Sequence, residues 1–228
     1  MTLKLTKNFA ILYGIMLGDG CLSLTSKNKK LVFIAGSLKD DIPFFENIVN
    51  PILKSLTNKT YPINIKSYKG SIELIFMNQN LFEFIHSFGY PIGKKGNQLF
   101  IPKVFYDNNL IKYLVRGFFA TDGSLVLTDN NGTLYPRVEA NGIAKDLIKE
   151  ISIYLNSLGI KCNLYIAKRK KPSSFGCQEQ YRIQINGKDN LKKFIKEIGF
   201  INPKQIDRLR YYYKKVASPR IELGTSAL

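Results

Sequence analysis

Residues 12–20 read LYGIMLGDG, and residues 115–123 read VRGFFATDG. Each is an apolar stretch that closes on Asp-Gly, with a glycine (Gly14, Gly117) five positions before the aspartate. The residues beyond each motif match as well: a leucine (Leu22, Leu125), a polar turn, a strand-like run, a helix, two more strand-like runs and a short helix stopped at Gly89 or Gly199. A repeat on this scale sets the architecture of the whole chain. The order α-β-β-α-β-β-α therefore occurs twice. The expected fold is α+β, with two pseudo-symmetric units at 1–105 and 106–213 and a tail at 214–228. Antiparallel hairpins with helices on one side bury only one face of each sheet, which leaves the other for a partner.

Local signals support the order. In the first unit Phe9 to Leu17 is helical by its apolar character, and hairpins form around Lys27-Asn28-Lys29-Lys30 and Lys69-Gly70. Asp40 or Asp41 can cap a helix with Pro43 in its first turn, and Pro51 is expected to kink or end it. In the second unit a helix at 110–120 is followed by a hairpin at Asp129-Asn130-Asn131-Gly132. An amphipathic helix then runs from Lys145 to Leu158, and strands follow at 161–169 and 180–186.

Charge points to the partner. The 228 residues carry 34 Lys and Arg against 17 Asp and Glu, a formal net charge of +17, which favours an anionic ligand and nucleic acid first. No run of eighteen apolar residues exists, and the N-terminus reads poorly as a secretory signal, so no membrane role is expected. Cys21, Cys162 and Cys177 are odd in number and widely spaced, and His86 is the lone histidine. That set fits neither a disulfide scaffold nor a zinc centre, and suits a reducing, intracellular compartment.

Alternation along the strands selects the exposed sets. Asn163, Tyr165 and Arg169 fall opposite Leu164 and Ile166, while Arg182, Gln184 and Asn186 alternate with apolar neighbours. Arg137, Glu139 and Asn141 alternate with Val138 and Ala140, and Asn64, Lys66 and Tyr68 lie opposite Ile63 and Ile65. A solvated face favours Lys, Glu and Thr. Gln, Asn and Arg are the residues that make paired hydrogen bonds to adenine and guanine edges, and a two-stranded ribbon fits the major groove. Lys27, Lys29, Lys30 and the basic stretch 168–171 are expected on phosphates. Tyr68 and Tyr165 can stack, hydrogen-bond, or cover a hydrophobic edge.

Asp19 and Asp122 end the two apolar helices, on the side where the helix dipole disfavours a carboxylate. Gly14 and Gly18 share one helix face, with Gly117 and Thr121 as counterparts, so the helices can approach closely and bring both carboxylates to one rim. Two adjacent carboxylates repel, and a divalent cation resolves the conflict. Oxygen ligands without His or Cys select Mg²⁺ over Zn²⁺, and such an ion next to DNA supports phosphodiester hydrolysis. Taken singly, each Asp-Gly is equally a turn signal; repetition at matched positions favours the site.

The chain at this point resembles the LAGLIDADG homing endonucleases, in the single-chain form with two motifs; the signature falls on 12–20 and 115–123. The resemblance implies half-domains joined through the motif helices, sheets that form a saddle over the major groove, and double-strand cleavage that leaves short 3′ overhangs. It assigns metal binding to Asp19 and Asp122, with the carbonyls of Gly18 and Thr121 contributing. Mg²⁺ is the expected cofactor, Mn²⁺ a substitute, and Ca²⁺ an ion that binds without supporting cleavage. It also implies a basic residue near each site, which falls on Lys39 in the first unit and on Gly142, a departure, in the second, where Lys145 or Arg182 is within reach. Leu38 stands where a polar, water-positioning residue is often found.

Two unlike halves in one chain need not read a palindrome, so an asymmetric target and a monomer are expected. The leading expectation is a site-specific, Mg²⁺-dependent DNA endonuclease encoded in an intron or intein-like element, in an organelle or a prokaryotic cytoplasm. The alternatives are an intron-binding RNA maturase and a catalytically silent DNA-binding protein. Retention of both aspartates favours the enzyme.

Overall fold

The computed structural model describes residues 3–168 and 179–217. Arg169, Cys177, the 170–178 segment and the tail from 218 lie outside the described residues.

The two apolar helices, α1 (Lys7–Asp19) and α6 (Ile111–Thr121), lie side by side at the centre of the molecule. Thr6 caps α1, its hydroxyl accepting the Phe9 N–H at 3.2 Å. Their packing is reciprocal. A Cβ on Gly14 would stand 2.0 Å from the Leu114 carbonyl oxygen, and one on Gly117 would stand 2.1 Å from that of Ile11. Any larger residue at either position would drive the helices apart.

Each helix leads straight into a four-stranded antiparallel sheet. The first holds β1 (Gly20–Leu24), β2 (Lys30–Ser37), β3 (Asn64–Lys66) and β4 (Ser71–Met77), in the order β1-β2-β4-β3. The second holds β5 (Gly123–Asn130), β6 (Thr133–Gly142), β7 (Asn163–Lys168) and β8 (Glu179–Asn186), in the order β5-β6-β8-β7. The register repeats as well: Gly20 pairs with Ile34 and Ile34 with Leu74, as Gly123 pairs with Ala140 and Ala140 with Ile183. The hairpin tip of β5 and β6 places Asn131 at φ 50° and Gly132 at φ 78°, the paired left-handed turn that matches strand twist.

Val32, Ile34, Ile72 and Leu74 turn inward from the first sheet, and Leu125, Val138, Ile183 and Ile185 from the second, all fully buried. Helices cover these faces: α2 (Ile42–Phe44), α3 (Asn50–Thr57) and α4 (Gln79–Ser87) in the first unit, and α7 (Lys145–Ser157), α8 (Lys188–Glu197) and α9 (Pro203–Ala217) in the second. The outer faces stay open. A short helix not expected from the sequence, α5 (Val104–Asp107), plugs buried Phe105 against Phe9, Tyr13 and Phe88 and so fixes the link between units.

Pro51 does not end its helix. A π-turn over Phe45–Val49 precedes it, with the Asn50 N–H bonded to the Phe45 carbonyl, and the chain continues helically to Thr57. The wider turn makes room for the proline ring and for its missing donor. Tyr68 also departs from expectation: β3 stops at Lys66, and Tyr68 sits in a 3₁₀ turn (Ser67–Lys69), 80% exposed. Leu164 and Ile166, expected inward, are 40% and 60% exposed because β7 is the edge strand.

Candidate active site

Asp19 is the last residue of α1, and Asp122 follows the last residue of α6 as its C-cap. The close approach that Gly14 and Gly117 permit carries through to this end. A Cβ on Gly18 would meet the Thr121 hydroxyl at 2.0 Å and an Asp122 carboxylate oxygen at 3.2 Å. Only glycine there lets the second motif lay its acid against the first helix. Burial and the Asp19 charge push the Asp122 carboxyl up to about 7, against the opposing pull of Lys95. Asp19 is raised too, by burial and by the Asp41 carboxylate, again opposed by Lys95.

Two concavities flank the pair. One, of about 190 Å³, is lined by Gly18, Lys95, Asp122, Asn141 and Gly142; a second, of about 20 Å³, lies among Asp19, Ala35, Asp41 and Thr121. Each joins the acid of one motif to the seventh residue of the other. The sequence-predicted residues Asp19, Asp122, Gly18 and Thr121 are thus brought together.

Lys39 is not among them. It is exposed in the turn before α2, where its charge acts on Asp40. The pairing register makes Gly36, not Lys39, the counterpart of Gly142; Lys39 lies in the link 37–41 between Gly36 and α2, which is longer than the link 143–144 before α7. Leu38 packs against the core rather than facing the acids. The ammonium at the site is Lys95, from the loop after α4. It donates to the carbonyls of Met16 (3.3 Å), Leu17 (3.1 Å) and Gly18. Burial pulls its pKa down, while Asp122 and Asp19 push it back up. In the sequence this loop reads only as a helix stop. The signal it does carry is a Lys pair between Gly93 and Gly96, in the segment that joins the units.

The two halves cap their motif helices alike with different chemistry. The buried Tyr90 hydroxyl donates to the Met16 carbonyl (2.6 Å) and the Gly20 carbonyl (3.0 Å). In the second half the Gln205 amide donates to Phe119 (2.6 Å) and Gly123 (2.8 Å), and Asn202 donates to Ala120 (2.9 Å). Lys95 and Gln205 each lie six residues beyond the left-handed glycine that ends a short helix, Gly89 or Gly199. By the carbonyls they bond, however, Gln205 takes the place of the Tyr90 hydroxyl, and the Lys95 ammonium is an addition of the first half.

Among the described residues no three His, Cys, Asp or Glu side chains gather as a metal cluster. The donors available are two carboxylates and the main-chain oxygens of Gly18 and Thr121. An oxygen-only set of this kind fits a hard divalent cation whose remaining positions go to water and phosphate.

The open face of the second sheet carries ordered polar rows. Asn141 pairs with Arg182, and Arg182 with Tyr165; Glu139 pairs with Gln184, and Gln184 with Asn163; Arg137 pairs with Asn186. Arg182 donates to the Asn141 amide oxygen at 2.7 Å, and Arg137 to Glu139 at 3.0 Å, which holds these side chains in place. In the first sheet Asn64 and Lys66 flank Glu73, to which Lys66 is paired at 2.7 Å. Lys27 and Lys29 are exposed at a hairpin tip, while Lys30 is engaged by Glu83.

The profile described as the LAGLIDADG-like domain matches residues 109–199. The chain is 31% identical, over 84% of its length, to a probable translation initiation factor IF-2 of Methanocaldococcus jannaschii, of which it spans 15%. It is 27% identical over 71% of its length to the reverse gyrase of the same organism, of which it spans 9%. A tRNA-splicing ligase RtcB of Pyrococcus furiosus is 26% identical over 84% of the chain, which spans 21% of that protein. In fold, the I-LtrWI LAGLIDADG homing endonuclease bound to target DNA superposes with a TM-score of 0.60, 12% identity and coverage of 92% of this chain and 91% of that one. The homing endonuclease I-DmoI in complex with DNA and Ca gives 0.58, 18%, 90% and 97%. With both motifs, their reciprocal helix pair and the twin sheets in place, the chain has the fold of the LAGLIDADG homing endonucleases, and its second unit matches the LAGLIDADG-like domain.

Proposed function

We propose that the protein is a site-specific double-stranded DNA endonuclease that hydrolyses one phosphodiester bond in each strand of a long asymmetric target and leaves short 3′ overhangs. The observation that carries this reading is the meeting of Asp19 and Asp122 at the common end of α1 and α6, where each helix passes into its sheet. A protein that only held nucleic acid would gain nothing from two carboxylates pressed together where phosphates must come. Asp19 and Asp122, with the Thr121 carbonyl and the Gly18 carbonyl once Lys95 moves off it, would hold Mg²⁺, which supplies charge stabilisation at the scissile phosphate and a more acidic water. Lys95 adds a positive group beside Asp122 for the charge that develops on the departing oxygen. The polar rows of the second sheet read base edges, and the hairpin lysines fix the frame on the backbone.

The relatives support an origin in a mobile insertion. A translation factor, a reverse gyrase and an RNA ligase share no activity by name, yet each contains a stretch like this chain as a small part of its length. We infer a coding element carried within a host gene, whose uninterrupted junction is the target, and action as a monomer.

The test is incubation with duplex DNA spanning such a junction, with Mg²⁺ or EDTA, beside Asp19→Asn and Asp122→Asn. The unaltered protein with Mg²⁺ is expected to cut, and both variants to bind without cutting both strands. Full double-strand cleavage by either variant would remove that carboxylate from the site. Specific binding to intron RNA without junction cleavage would replace the endonuclease with a maturase.

A further inference from the structure

The shared pairing register allows the open faces of the two sheets to be compared position by position. Ile34 corresponds to Ala140, since each pairs with the glycine after a motif aspartate, and Leu74 corresponds to Ile183 as their next partners. Counting outward, Arg137 corresponds to Leu31, Glu139 to Phe33, Gln184 to Ile75, and Asn186 to Met77. At four equivalent places the second sheet presents hydrogen-bonding groups and the first presents hydrocarbon or thioether. These four side chains form two cross-strand pairs, Leu31 with Met77 and Phe33 with Ile75. None is among the buried core residues; Met77 is 60% exposed, and Leu31, Phe33 and Ile75 are half-buried beside one another on that face.

A row of large apolar groups on an open sheet face is costly without an occupant. The face is continuous with the surface assigned to DNA, on a chain of net charge +17. Among the groups displayed in the major groove, the C5-methyl of thymine is the apolar one. We infer that the first half-domain reads thymine methyls: Leu31, Phe33, Ile75 and Met77 select a T-rich half-site, whereas the second half-domain reads its half-site through hydrogen bonds. Asn64, Lys66 and Glu73 at the other end of the first sheet remain polar, so the methyl-reading stretch is confined to the positions paired with the outer part of β2. This inference rests on the duplex-DNA reading of the site and adds the chemistry of one half of the target.

The test begins with selection of bound duplexes from a random pool, in Ca²⁺ to suppress cutting. If no duplex is enriched, the DNA-binding reading itself fails. If duplexes are enriched, the thymines of each half are replaced in turn by deoxyuridine, which removes the methyl and leaves every hydrogen-bonding group. Replacement in one half is expected to weaken binding about fourfold for each methyl lost, and replacement in the other to leave it within about twofold. Ile75→Gln and Met77→Asn, which install the second sheet's residues at a half-buried and an exposed position of the outer face, are expected to abolish the uracil sensitivity at the bases they face. They are also expected to shift preference there toward adenine. Equal tolerance of uracil in both halves, or sensitivity that persists in Ile75→Gln and Met77→Asn, would overturn the inference. So would tight duplex binding with the first apolar face covered by a copurifying protein.

Discussion

The Lys95 ammonium rests on the carbonyl oxygen of Gly18, the residue that precedes the first motif aspartate. The side chain that supplies positive charge to the pair thus comes from the link between the repeats rather than from either sheet. Lys95→Met is expected to leave duplex binding nearly intact while lowering the single-turnover cleavage rate by about 100-fold. Lys39→Met, at an exposed turn, is expected to change that rate less than about threefold. Equal effects of the two would return the role to Lys39.

The raised Asp122 pKa makes a pH statement. A carboxyl that titrates near 7 in the fold and near 4 when unfolded binds more protons in the native state between those values. Stability without metal should therefore fall as pH rises through that window. Asp122→Asn is expected to stabilise the protein by roughly 4 kcal/mol at pH 8 in EDTA and by almost nothing at pH 4. Urea melts at the two pH values decide it. A variant equally stabilised at both would place the effect elsewhere.

Gly14→Ala and Gly117→Ala should each wedge the central helices apart, since the new Cβ would fall about 2 Å from a main-chain oxygen of the partner helix. Each is expected to cost about 3 kcal/mol or more by denaturant titration. Gly132→Ala, at an open hairpin tip, meets no neighbouring atom and carries only the penalty of its positive φ. A smaller loss at Gly14 than at Gly132 would contradict the close approach.

Lys27 and Lys29 stand exposed at the tip between β1 and β2, where their main-chain N–H groups donate to the Thr25 hydroxyl and the Lys29 carbonyl accepts the Thr25 N–H. Changing both to Ala should weaken duplex binding alike for all sequences. It should also reduce the slope of log K against log salt by about 2. Arg182→Ala should instead relax discrimination at one base, by about 1–3 kcal/mol, with little change in slope.

The architecture was legible because an apolar run ending in Asp-Gly, repeated with the same elements behind it, is compatible with few folds. Strand alternation also sided Arg137, Arg182 and Gln184 correctly. Other features were not legible, and three show why. Pro51 reads as a break because the rescue, a π-turn, is a property of backbone hydrogen bonds that no residue type announces. Leu164 and Ile166 read as buried because alternation cannot tell an edge strand from a covered one. Lys95 stays hidden because it reaches the acids through space, from a loop with no periodicity. The family resemblance points to Lys39 instead, in a link that is longer than its counterpart in the second unit.

The difference between Lys95 and Gln205 bears on ancestry. A homodimer built from two copies of the first half would carry an ammonium at each acid. One built from two copies of the second would carry, among the described residues, the Asn202 and Gln205 amides at those helix ends instead. The halves have thus ceased to be interchangeable parts: duplicating the later one alone would recover the scaffold and the carboxylates without their built-in cation.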